Sequence, residues 1–93
     1  MSWTLGKATL PQATGTHTIP VPEGAKVMAA TGLVTLDVIY MAPDGAAPED
    51  RNFDVVLMGE SLPEYDKKNQ RFIGTVVIGD VLMAVFERLG AVE

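Results

Sequence analysis

Eight carboxylates crowd residues 37–66: Asp37, Asp44, Glu49, Asp50, Asp54, Glu60, Glu64 and Asp66, with Arg51 as the one base among them. Asp44, Glu49 and Asp50 fall in one polar stretch, 43–50, and Glu60, Glu64 and Asp66 in another, 59–70. If both stretches met at one end of the fold, their oxygens could hold a hard cation. The spacing matches no EF-hand loop, and Arg51 would partly neutralise the group. Two other readings stand beside it: a solvated acidic rim, and an acidic contact surface that meets a basic partner. Complementary charge speeds such an encounter and selects the partner. Tyr65 sits between Glu64 and Asp66, where an exposed aromatic ring can anchor an interface.

Other reactive residues lack companions. His17, the only histidine, stands in the polar run Thr14-Gly15-Thr16-His17-Thr18. Catalysis would require a nucleophile and an orienting acid around it, and a metal site further ligands. Ser61 follows Gly59-Glu60, but Pro63 occupies the second glycine position of a nucleophile elbow. No glycine-rich phosphate loop is present, because Gly59, Gly74 and Gly79 have neither the spacing nor a strand-to-helix setting. No acid–base–nucleophile group assembles, so the chain reads as a non-enzyme without a cofactor or a metal.

The 93 residues carry a net charge of −5 and allow one domain with one core. Phosphate neutralisation needs clustered Lys and Arg, so direct nucleic-acid binding is not expected. Absence of cysteine excludes disulfides and thiolate chemistry. There is no apolar run of ~20 residues for a membrane helix. The start, Met1-Ser2-Trp3-Thr4-Leu5-Gly6-Lys7, lacks the pattern of a signal peptide. A cytoplasmic protein with no membrane contact is the expectation.

The elements that must position these groups are strands. Arg71 to Arg88 reads as two β-branched, apolar runs joined by Gly79-Asp80, a strong hairpin signal. Asp80 could instead N-cap a helix over 81–89, with Leu82, Val85, Phe86 and Leu89 on one face. The strand is preferred, since it follows a β-branched run. Turn residues recur every eight to twelve positions, as a sandwich or barrel requires. Further strands are expected over 2–10, 16–21, 25–30, 33–42 and 51–58, with 43–50 and 59–70 as loops. Pro20 and Pro22 place the second strand at a sheet edge. Pro22-Glu23-Gly24 suits a tight turn. The expected fold is therefore an all-β single domain, a sandwich or partly closed barrel of about seven mostly antiparallel strands. Val56, Met58, Ile73 and Val77 are apolar on the faces expected to be exposed, which hints at a homodimer contact or at cover by loops.

The motif order also carries a resemblance. Ile19-Pro20-Val21-Pro22-Glu23-Gly24-Ala25-Lys26-Val27-Met28 leads to an aromatic strand ending Ala42-Pro43. Arg51-Asn52-Phe53, Val55-Val56, Gly59, Pro63, Phe72-Ile73-Gly74-Thr75-Val76 and Val85-Phe86-Glu87 follow. Over roughly residues 5–88 this resembles a family of small bacteriophage- and prophage-encoded proteins of unassigned function. Gly59-Glu60-Ser61 stands where that family has Gly-Thr-Gly, and Met83-Ala84 where it has Trp-His.

The resemblance implies one of three roles. The first is a binding protein that inhibits a host factor or an anti-phage defence complex. Its expected contacts are Asp44, Glu49, Asp50, Glu60, Glu64, Tyr65 and Asp66. The second is an oligomer that sequesters a small nucleotide signal, with Arg51, Lys67, Lys68 and Arg71 on its phosphates. The third is a minor virion or assembly component held by strand addition.

Overall fold

The computed structural model of the chain describes residues 2–62 and 69–89. Seven strands follow in order: β1 (Trp3–Leu10), β2 (Gly15–Pro22), β3 (Lys26–Gly32), β4 (Leu36–Pro43), β5 (Pro48–Leu57), β6 (Gln70–Ile78) and β7 (Val81–Arg88). They build two antiparallel sheets, ordered β1-β4-β3 and β2-β5-β7-β6, packed face to face as an all-β sandwich. The sheets do not close into a barrel. No helix among the described residues is long and apolar enough to cross a membrane.

Alternation decides what fills the space between the sheets. Leu10, Val27, Leu36, Val38, Phe53, Val55, Val76, Met83 and Val85 form the main core. A smaller cluster of Val21, Ala25 and Ala42 extends it toward the β2–β3 connection. Each fully buried aliphatic or Phe side chain here is worth about 1.5–3 kcal/mol in transfer free energy.

The C-terminal hairpin forms as its sequence predicts. Ile78 pairs with Val81 across Gly79-Asp80, and Gly79 takes φ 62°. Residues 81–88 are strand rather than helix, because β7 is central and is paired on both edges, by β5 and β6. Only one face of β7 is fully buried (Met83, Val85, Glu87), the period-2 pattern a strand needs. β2 is an edge strand, as Pro20 and Pro22 require.

Three expectations are corrected. The fourth strand starts at Leu36, not 33, and Leu33 and Val34 stand at the exposed β3–β4 tip. Their strand-forming types are overruled because Leu36 must pair Leu10 and Gly32 at once, leaving 33–35 to turn the chain. The fifth strand starts at Pro48, so Glu49 and Asp50 lie in β5 opposite Val21 and Pro20 rather than in a loop. Finally, a bulge between Phe72 and Gly74 packs Ile73 against the core. Val77 and Met58 remain exposed, and Val56 is half-buried.

Candidate functional site

Two tight turns build the acidic end of the sandwich. Ala25 N–H donates to the Pro22 carbonyl (3.0 Å), and Ala46 N–H to the Pro43 carbonyl (3.4 Å). Both turns carry glycine at the third position, Gly24 at φ 78° and Gly45 at φ 79°, as type II geometry demands. The residue before each glycine is acidic, Glu23 in one turn and Asp44 in the other, and both are exposed. Glu23 N–H donates to the Ala47 carbonyl (2.7 Å), which ties the two connections together. Glu49 and Asp50 follow at the start of β5, also exposed. Glu23, Asp44, Glu49 and Asp50 therefore share one end of the fold.

Their environments differ. Asp44 accepts a hydrogen bond from the Thr4 hydroxyl. Glu49 approaches Arg51 at 3.9 Å. A groove of about 280 Å3 runs beside Glu49, Asp50 and Asn52 to Arg88 and Leu89 at the end of β7. The Glu49 and Asp50 carboxylates on its wall can accept from a Lys or Arg side chain, and Arg51 lines it as well.

Glu60 does not join this set. β5 begins at the acidic end, and Glu60 lies beyond its other end, beside the Leu57 turn. The expectation that the 43–50 and 59–70 segments present one surface is corrected for this residue. The chain between them is a full strand of ten residues. Glu64, Tyr65, Asp66, Lys67 and Lys68 lie outside the described residues.

Arg51 and Arg71 turn inward. Arg51 donates through Nε to Glu87 (2.8 Å), through its second terminal nitrogen to the same carboxylate, and through Nη1 to the Ala25 carbonyl (2.8 Å). Arg71 donates to Glu87 (3.0 Å) and to the Val27 carbonyl (2.7 Å). Glu87 is 3% exposed. Each guanidinium thus joins a β7 carboxylate to the opposite layer, Arg71 to the β3 backbone at Val27 and Arg51 to Ala25 just before β3. Of the four donors proposed for a ligand's phosphates, Arg51 and Arg71 are committed to this inter-sheet clasp.

A second buried polar group was not foreseen. Asp54 is fully buried, accepts from the Thr16 hydroxyl and the Gln70 amide, and pairs with Arg88 at 3.0 Å. Asp54 alternates with Phe53 and Val55 and so shares the outer face with Val56, and nothing local in the sequence signals its burial. On the outer face of β4, Asp37 accepts from Thr9 (2.6 Å) and Thr35 (3.0 Å), with Lys7 at 4.0 Å. The Thr9 hydrogen bond is the largest influence and holds the Asp37 carboxyl below its ordinary value. Burial opposes this, and Thr35 and Lys7 add to it. His17, opposite Phe53, has its ring Nε2 2.7 Å from the Ala13 carbonyl. Ser61 is exposed.

No family model matches the chain, and no curated protein or solved structure does.

Proposed function

We propose that this is a non-enzymatic phage or prophage accessory protein that acts by binding, as an inhibitor of a host factor or an anti-phage defence complex. The observation that carries the reading is the convergence of Glu23, Asp44, Glu49 and Asp50 at one end of the sandwich, on two turns tied by a backbone hydrogen bond. Rigid turns hold the carboxylates in place before encounter, which reduces the entropy that binding must overcome. A basic surface fits them, with a Lys or Arg side chain reaching into the groove beside Glu49 and Asp50. The partner is a protein with a basic patch, including one that itself holds nucleic acid.

The test is affinity capture from lysate of a bacterial host. A tagged wild-type chain is compared with the Glu49→Lys/Asp50→Lys double variant and read by mass spectrometry. The reading expects a stoichiometric host protein that the double variant fails to retain. Equal retention by both chains sinks the acidic-end reading. A small molecule released on heating, with no protein captured, would move the function to sequestration.

A further inference from the structure

The sandwich has four sheet edges, and three of them are guarded. β2 carries Pro20 and Pro22, which have no N–H to offer. β3 is bulged between Val27 and Ala29, and Arg71 occupies its Val27 carbonyl while Arg51 occupies the Ala25 carbonyl just before it. β6 is bulged between Phe72 and Gly74. Prolines and bulges are the usual devices that stop one sheet from adding to another. β1 has neither. It pairs with β4 in unbroken register over eight residues, from Trp3 opposite Pro43 to Leu10 opposite Leu36.

The backbone directions on β1 follow from one bond. Asp44 N–H donates to the Ser2 carbonyl at 3.0 Å, so even-numbered residues of β1 face β4. Trp3, Leu5, Lys7 and Thr9 therefore direct their N–H and C=O groups to the open edge. Their side chains share the outer face of the sheet, where Trp3 is 49% and Leu5 63% exposed. Met28 on β3 is exposed too, and Ile39 and Met41 on β4 are half-buried there. Lys7 and Lys26 are the exposed charges of this face among the described residues. Its one acid, Asp37, is buried in its threonine bonds.

We propose that β1 is a self-association edge, along which two copies join β1 to β1 antiparallel and fuse their three-stranded sheets into one. Charge selects the occupant. A chain of net charge −5 repels its own copy at the acidic end, whereas this edge offers Lys7 alone. The strand also complements itself. With the two-fold axis at Leu5, the two Leu5 side chains meet, and Trp3 of each copy faces Lys7 of the other. An ammonium over an indole face is a favourable pair. Thr4 then faces Gly6, and no like charges are opposed. A symmetric edge of this kind closes as a dimer rather than growing.

Sedimentation equilibrium over about 1–500 μM tests this, read together with the emission of Trp3, the chain's single tryptophan. The expected result is a mass rising from one chain to two, with a blue shift of Trp3 emission over the same concentrations. Leu5→Lys, a change at an exposed position, should raise the dimer dissociation constant at least tenfold and leave the melting temperature at low concentration unchanged. Leu5→Pro should also weaken the dimer, because the N–H it removes faces the open edge rather than β4. A chain that stays monomeric throughout overturns the proposal. So does a dimer that survives Leu5→Lys, or one that forms with no change in Trp3 emission. Loss of association in Asp50→Lys, with Leu5→Lys still dimeric, would place the contact at the acidic end instead.

Discussion

Glu87, itself 3% exposed, accepts from both Arg51 and Arg71, and its removal leaves Arg51 with Glu49, 3.9 Å away, as its remaining counter-charge among the described residues. Breaking a buried pair from one side is costly, because the remaining charge stays desolvated. Glu87→Ala should lower unfolding free energy by about 3 kcal/mol, measured by urea denaturation. Arg71→Ala should cost far less, since that side chain is 45% exposed and Arg51 still holds the carboxylate. Asp37 gives a pH signature at the same scale. Its carboxyl is held below the ordinary value chiefly by Thr9, so the stabilisation is present above the unfolded value, about 4, and fades as pH falls through the folded value. Thr9→Val should raise the Asp37 pKa in an NMR titration. It should destabilise the protein at neutral pH, and the difference from wild type should vanish in strong acid. The sequence revealed these groups as residues but not as partners. Glu87 and Arg51 stand 36 positions apart, and nothing near either one announces the other.

At the scale of elements, local chemistry was mostly legible. The hairpin at Gly79-Asp80, the edge position of β2 and the turn at Pro22-Glu23-Gly24 each follow from a glycine or proline whose backbone demands are local. The Gly45 turn is the cleanest place to measure such a demand. No atom lies within 4 Å of where a Cβ would stand, so Gly45→Ala tests dihedral strain with no steric clash. A cost of about 1–2 kcal/mol is expected in denaturant melts. The start of β4 was not legible. Leu33 and Val34 have strand-forming side chains, but the three-strand register across Leu36 puts them at the tip, 88% and 75% exposed. Bulges were equally hidden, since Ile73 and Met28 look like ordinary strand residues until both partners' lengths are compared.

For the whole molecule, the placement of charge matters more than its sum. The exposed acids of the β2–β3 and β4–β5 connections stand at one end, and the outer face of the β1-β4-β3 sheet carries Lys7 and Lys26. Attraction between exposed charges is screened over about 8 Å at physiological salt. Partner capture through the acidic end should therefore fall steeply between about 50 and 500 mM salt, chiefly through a slower on-rate. Self-association through β1 rests on backbone hydrogen bonds and apolar contact, so sedimentation at the same two salt concentrations should show little change. The two surfaces are thus separable by salt alone.

The sequence by itself determined the β class, the near-seven-strand count, the C-terminal hairpin and the acidity of the middle of the chain. All of these depend on side-chain period, turn chemistry or composition, which act over a few residues. Tertiary structure decided which acids stand together. Glu23, ahead of the acidic stretch, joins Asp44, Glu49 and Asp50, whereas Glu60 is carried away by the length of β5. It also decided that Arg51 and Arg71 clasp the sheets, that Asp54 is buried, and that β1 is the edge strand with neither proline nor bulge. Each of these depends on which strands become neighbours across 16 to 44 residues of intervening chain, a matter of long-range pairing that no local pattern encodes.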